Sequence, residues 1–310
     1  MALLPRLPSP GFALLALAGA GAALTALPSS WTLAAAFLLI GVIGLPHGAS
    51  DTALAAPRWR AAFGKAGLAL FLAAYLGAAL AAYLFWVSFP LAGLAAFLVL
   101  SAYHFGHDDL PPPLRGKSAL GSPEGWLRGT MVLGGPAIFY RPEVQAIFEA
   151  LLPGAEGEGA ALLASLLQIA GLLALPLSLA AAVRDRGQRS SFLRSVICLV
   201  PFPPLVGFSL YFAFVHSLHQ TAERGTRMGA GSLRDYLGRC WPFVAGGVLV
   251  MAVVGSALVA APERATATLF IGLAVLTFPH ILFGGTPRSA PVRKDPYPPR
   301  TLTRLSCETP

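Results

Sequence analysis

Long apolar runs recur along almost the entire chain, and they constrain its fold more than any other feature. Only 12% of the 310 residues are charged and the mean hydropathy is +0.67, whereas a soluble domain carries about 25% charged residues. A backbone in lipid must satisfy its hydrogen bonds internally, which a helix does within one segment. The apolar segments are about 11–27, 31–48, 66–87, 90–107, 126–140, 160–183, 192–204, 205–220, 242–261 and 266–283. They predict an all-α fold, a polytopic integral membrane helix bundle of about 8–10 transmembrane segments.

The same pattern divides the chain into two parts. Residues 1–283 are predicted to form one membrane-embedded helical domain. The proline- and arginine-rich residues 284–310 are predicted to be a disordered cytoplasmic tail. The first apolar segment follows Arg6 and contains small residues, which is also typical of a cleaved signal peptide. Because the rest of the chain is equally apolar, we favour an uncleaved first helix.

Basic residues indicate how the bundle is oriented. If ten helices alternate from a cytoplasmic N-terminus, twenty of the 22 Lys and Arg residues fall on the cytoplasmic side, and only Arg141 and Arg264 fall outside. The predicted outer loop, at about 141–159, carries four glutamates. The chain is therefore predicted to be a multi-pass protein of the inner (plasma) membrane with both termini in the cytoplasm. The basic residues in short loops, which set this orientation, also account for the net charge of +8, so nucleic acid is not predicted as a partner.

Five of the six histidines fall at the predicted cytoplasmic ends of helices that run in the same direction. They are His47, His104, His216, His219 and His280. Imidazole is the commonest metal ligand in proteins, and several imidazoles at one depth suit a transition metal. The pattern predicts a metal site near the cytoplasmic face, because ionisable groups inside a membrane are functional candidates by default. For any single histidine, an interfacial role at a helix end is the alternative.

Two acids accompany these histidines. Asp51 follows His47 by four residues, and Asp109 follows His104 by five. Each is predicted to accept a hydrogen bond from the histidine nitrogen that does not face the metal, and so to hold the ring in place. The alternative is that both are ordinary acids at the membrane surface. His107, at the edge of the following loop, is predicted to be solvated.

An aromatic stretch precedes His216. Tyr211 and Phe212 lie one turn before His216. They weakly indicate an apolar substrate pocket, and packing in the core or against lipid is the alternative.

Four sequence blocks carry a family resemblance. In order they are GLPHGASD, YHFGHDD, PPLVGFSLYFAFVHS and IGLAVLTFPH, and they extend over most of the chain. Together they resemble the Brp/Blh family, bacteriorhodopsin-related proteins that act as β-carotene 15,15'-dioxygenases. The resemblance implies a membrane enzyme, with residues 1–283 as its catalytic domain. It would cleave the central double bond of β-carotene with O₂ into two all-trans-retinals, using Fe(2+) held by four histidines.

The resemblance also implies site residues and partners. His47, His104 and His216 match three iron ligands of the family. The family has its fourth histidine four residues after the third, where this chain has Gln220, a poor iron ligand. His219 is the predicted fourth ligand, His280 is its substitute, and a degraded site is the third alternative. Gln220 is predicted to lie beside the site. No catalytic residue is predicted beyond the metal site, and the implied partners are β-carotene, O₂, membrane lipid and a retinal-binding rhodopsin that accepts the product.

Two other functions fit a histidine-containing membrane bundle. A membrane desaturase or hydroxylase would need about eight histidines in H-x-x-x-H and H-x-x-H-H boxes, which the six histidines of this chain do not form. A metal or proton transporter would place polar groups at many depths of the membrane. Here the outer halves of the predicted helices carry almost none. Both alternatives are therefore less favoured than the dioxygenase.

Overall fold

The computed structural model describes residues 9–110, 114, 121–152, 157–184, 186–260 and 265–284. Its helices are α1 (Pro10–Thr25), α2 (Ser29–Leu38), α3 (Leu45–Phe63), α4 (Gly67–Ser88), α5 (Pro90–Asp108), α6 (Pro123–Leu151), α7 (Gly157–Arg184), α8 (Arg186–Leu199), α9 (Pro204–Leu210), α10 (Leu218–Arg227), α11 (Leu233–Ala260) and α12 (Ala265–Gly284). Two π-helical segments, Leu39–Gly44 and Tyr211–Ser217, join α2 to α3 and α9 to α10. Gly64–Ala66 forms a 3-10 turn between α3 and α4. The described residues contain no strand, so the predicted all-α fold is confirmed.

Each predicted apolar segment overlaps a helical stretch, but several helices continue further than hydropathy indicates. The segment predicted to end at residue 48 continues through α3 to Phe63. The predicted loop from residue 141 is wrong over its first half, because α6 bends at Tyr140 and then continues to Leu151. Val144 and Phe148 are buried beside Leu151 on one face of this extension. Hydropathy marks the apolar part of a helix, whereas the backbone hydrogen bonds continue through polar positions.

The outer surface of the bundle suits a membrane. Among the described residues, three stretches are long and apolar enough to cross one: Ser29–Ser88, Gly157–Arg184 and Ala267–Gly284. Large apolar side chains also point outward, with Phe139 70% and Leu76 66% exposed. A continuous apolar surface of this kind fits lipid better than water. The molecule is therefore an all-α membrane bundle, while its orientation and its number of spans stay predictions.

The largest buried core positions the segments that carry the histidines. Phe105 of α5, Val132 of α6, Leu199 of α8 and Tyr211 of the second π segment belong to it. This packing fixes the C-terminal half of α5 against the second π segment. Of the predicted tail, only Gly284 belongs to the described residues, so the division into domain and tail stays a prediction.

Candidate metal centre

Three buried imidazoles converge inside the bundle from three different helical stretches. His47 lies in the first turn of α3, His104 in the last two turns of α5, and His216 in the second π segment. One ring nitrogen of each lies within 4.8 Å of the corresponding nitrogens of the other two. The structure thus brings together residues that are up to 169 positions apart in the sequence. This set is arranged as metal ligands would be.

Unpaired ring nitrogens fit the same interpretation. Nδ1 of His47 and Nε2 of His216 are buried and have no hydrogen-bond partner among the described residues. Leaving a buried polar atom unpaired costs about 1–3 kcal/mol, and a metal ion would remove that cost. Bonds of about 2.1 Å place two nitrogens on one ion at most about 4.2 Å apart. Small side-chain adjustments would therefore bring the three rings to a common ion.

His280 of α12 is the fourth imidazole at this cluster. Its ring centroid lies 5.2 Å from that of His47 and 5.1 Å from that of His104. His219 stands apart: its side chain is 49% exposed and faces Glu223 at 3.9 Å. Position 220, one turn after His216, faces the interior instead, and Gln220 is buried there. The structure therefore brings His280 to the cluster and leaves His219 at the surface of α10.

The two π segments shape the backbone around the cluster. Pro46 has no N–H for the carbonyl four residues earlier, and the turn before it widens into the segment Leu39–Gly44. Gly44 lies so close to the ring of Phe212 that any side chain at this position would overlap that ring. Phe212 in turn stacks on His216 with ring centroids 5.8 Å apart. Wide helical turns of this type are frequent at functional sites.

A carboxylate orients His216. The Nδ1–H of His216 donates to Oδ1 of Asp109 at 2.8 Å, and the hydroxyl of Tyr211 donates to Oδ2 at 2.5 Å. Because a carboxylate only accepts hydrogen bonds, the proton of His216 belongs on Nδ1. Its Nε2 lone pair is then free to face the cluster. The sequence interpretation paired Asp109 with His104, and the structure pairs it with His216 across two helices.

A second carboxylate orients His280. The Nδ1–H of His280 donates to Oδ2 of Asp51 at 2.6 Å. The guanidinium of Arg224 donates to Oδ1 of Asp51 at 2.6 Å, and the hydroxyl of Tyr75 reaches Oδ2 at 3.3 Å. Asp51 was expected to hold His47, but the charge of Arg224 and the ring of His280 draw its carboxylate across to α10 and α12.

Sequence reasoning missed two polar residues of this site. Asp108 faces Nδ1 of His104 at 3.3 Å, and its backbone carbonyl accepts a 2.7 Å hydrogen bond from the amide of Gln220. Arg224 is wholly buried beside Asp51. Helical spacing could have found both, since Asp108 follows His104 by four residues and Arg224 follows Gln220 by four.

His107 lies away from the cluster and is structural. It was expected to be solvated, which is wrong, because its side chain is buried. Its Nδ1–H donates to the Tyr103 carbonyl at 2.8 Å, and its Nε2 accepts from the Ser122 N–H at 2.9 Å. The ring therefore links α5 to the start of α6, as a buried imidazole with both nitrogens satisfied does.

The aromatic pair before His216 has two different roles. The ring of Phe212 lies 5.7 Å from that of His47 and forms an apolar wall of the cluster. Tyr211 is completely buried and uses its hydroxyl on Asp109. A role for either residue in contacting substrate stays a prediction.

Comparisons with known proteins agree with this site. A family model described as beta-carotene 15,15'-dioxygenase matches residues 38–286. A curated relative, the beta-carotene 15,15'-dioxygenase of uncultured marine bacterium 66A03, is 30% identical over 262 residues, which cover 80% of this chain and 90% of the relative. No solved structure matches the chain significantly. The matched region includes every clustered histidine, and the chain belongs to the β-carotene 15,15'-dioxygenase family.

Proposed function

We propose that this protein cleaves the central 15,15' double bond of β-carotene with O₂ and forms two molecules of all-trans-retinal. One carbon–carbon double bond breaks and two carbon–oxygen double bonds form, with one atom of O₂ in each aldehyde. The reaction therefore balances without a further reductant. The observation that carries the proposal is the convergence of three buried imidazoles, two of them with an unpaired nitrogen, in a chain of this family.

The donor set supports a bound Fe(2+). His47, His104 and His216 would hold it. The position of His280 makes it our proposed fourth ligand in place of His219, and its Nε2, now 3.4 Å from Nη2 of Arg224, would turn to the ion. Neutral imidazoles suit divalent first-row metals. When bound, iron would supply the redox chemistry through which O₂ reacts with a carbon–carbon double bond.

The protein side chains would orient the ligands and keep water out. Asp109 holds the proton of His216 on Nδ1, and Asp51 does the same for His280. The rings of Phe105 and Phe212 pack against His216 with centroid separations of 4.8 and 5.8 Å, so they cover it with apolar surface. Preorganised ligands and a dry cavity are what the reaction requires from the protein.

The surroundings of the site follow from the membrane bundle. We propose an inner-membrane location with both termini in the cytoplasm, where the lipid supplies β-carotene directly to the bundle. The product would pass to a retinal-binding rhodopsin. The uneven distribution of Lys and Arg supports this orientation.

Expression in a β-carotene-producing bacterium tests the function. We expect the native chain to remove the orange colour and to yield retinal, with about one iron per chain after purification. His104→Ala should lower the iron content and should lower retinal formation more than about 100-fold, since even groups that only orient a ligand are worth about 10–100-fold in activity. Retinal is measured by chromatography and iron by elemental analysis. A native chain that carries iron but forms no retinal would contradict the proposal.

The fourth ligand has its own matched comparison. We expect His280→Ala to lose iron, and His219→Ala, which removes an exposed imidazole, to keep native iron and activity. If instead His219→Ala loses iron and His280→Ala retains it, α10 rotates on metal binding and His219 is the ligand.

A further inference from the structure

A cavity opens between α4, α5 and α12, and its lining comes within one helical turn of His104. Its volume is about 280 Å³, and Phe85, Trp86, Phe97, Leu100 and Ala274 are among the residues that line it. We name it the outer arm. The Phe85 side chain is 45% exposed on the lipid-facing surface, so the outer arm borders the surroundings of the bundle. An apolar molecule dissolved in lipid would reach it without crossing water.

A second cavity lies on the other side of α5. Its volume is about 80 Å³, and Phe97, Leu98, Ser101, Phe105 and Phe208 are among its lining residues. We name it the inner arm. Much of its lining is buried, including Val132 and Leu151 at 1% and 2% exposure, so it extends into the protein. It is also apolar, apart from the hydroxyl of Ser101.

Both arms reach the same point of α5. Leu100 lines the outer arm and Ser101 the inner arm. They precede His104 by four and three residues, which is one helical turn. Phe105, on the inner arm, contacts the ring of His216 with centroids 4.8 Å apart. The side chain of Phe97 borders both arms one turn earlier.

We propose that the outer and inner arms receive the two halves of one long apolar polyene, and that Phe97 sets which double bond lies beside His104. This inference rests on the proposed function and adds the residues that select the cleavage position. Two arms lined by the same turn of α5 suit a substrate that passes the metal centre and extends to both sides. A pocket closed on one side would place an end of the polyene, and not its central double bond, beside the metal centre.

The difference in volume predicts an order of entry. The outer arm is larger and borders lipid, so we expect the substrate to enter there and its trailing half to remain there. The inner arm is smaller, and we expect Phe97 and Phe208 to change rotamer when the leading half enters it. The Phe97 ring is packed against Trp86 with centroids 6.1 Å apart, which limits the positions that the polyene can take.

Filling the outer arm tests the proposal. Ala274→Phe places a ring in it, whereas Leu276→Phe changes a 46% exposed position on the same helix and is the matched control. We expect Ala274→Phe to lower retinal formation at least about 10-fold with iron content unchanged, because misplacing a reactant by about 1 Å costs about 100-fold. The control should stay within about 2-fold of native, as surface changes usually do.

Binding is measured separately from cleavage. In protein that also carries His104→Ala and so does not cleave, Ala274→Phe should reduce the β-carotene that co-purifies per chain, and Leu276→Phe should not. Equal amounts in both variants would mean that lipid alone fills the outer arm, which overturns the proposal.

Phe97→Ala tests the selection of the cleavage position. We expect the share of retinal to fall and pairs of unequal aldehydes, one longer and one shorter than retinal, to appear. A variant that cleaves at the native rate and forms retinal alone removes Phe97 from this role. Failure of the proposed function gives a different result: the native chain itself would form no retinal although it contains iron.

Discussion

The buried ion pair behind the histidine cluster offers the sharpest test of how this fold is stabilised. Arg224 and Asp51 lie 2.6 Å apart with side chains 3% and 1% exposed. Arg224→Met keeps the length and the apolar part of the side chain but removes the charge. It leaves Asp51 as a buried carboxylate whose remaining partners are the ring of His280 and the hydroxyl of Tyr75.

The expected loss of stability is large. Removing one partner of a buried pair costs about 3–5 kcal/mol, because the other charge remains buried without compensation. This corresponds to a change of about two to four orders of magnitude in the unfolding equilibrium. In the double variant Asp51→Asn with Arg224→Met, no unpaired charge remains, and the amide oxygen at position 51 still accepts from His280. We therefore expect the double variant to be more stable than Arg224→Met alone.

Unfolding in detergent, followed by loss of helical circular dichroism, measures these differences. The matched control is Arg239→Met, which breaks the exposed pair of Arg239 and Asp235 and should change stability far less. If Arg224→Met unfolds like the native protein, or if the double variant loses the sum of the two single losses, the pair does not stabilise the fold as we argue.

Two further predictions concern packing and topology. Gly106→Val should destabilise the protein and lower its iron content, because any side chain at Gly106 would overlap the backbone of α6 at Gly125; Gly77→Val, which meets open space, is the control in the same thermal and iron assays. A reporter enzyme fused after Lys65 should indicate cytoplasm and one fused at Glu156 the outside; an outside signal after Lys65 would contradict the predicted orientation.

Much of the architecture could be predicted from the sequence because its cause is local. Apolar segments must be helical in lipid, whatever their neighbours are. The three clustered histidines, His47, His104 and His216, were identified because each lies in a short motif that resembles the family's. The family could also be predicted, because its motifs lie in continuous stretches of chain, and the family match confirms it.

Helix ends and loops were predicted less well. Hydropathy ended one helix at residue 48 and another at residue 140, whereas α3 continues to Phe63 and α6 to Leu151. The cause is again physical. Apolar composition reports which residues avoid water, but the helical backbone depends on hydrogen bonds that polar residues make equally well.

Partner choice inside the site depends on tertiary structure. Asp51 pairs with Arg224, 173 residues later, and Asp109 with His216, 107 residues later, although each has a histidine four or five residues away on its own helix. A buried charge is stable only when a partner compensates it, and the helices that pack together decide which partner is within reach.

The sequence by itself thus determined a membrane helix bundle, its family and three histidines that converge inside it. Only the tertiary structure decided that His280 faces the cluster while His219 faces outward, and that residues of one turn of α5 line two cavities. The reason is rotation about the helix axis. One residue changes the direction of a side chain by about 100°, and packing between helices selects which direction faces the interior.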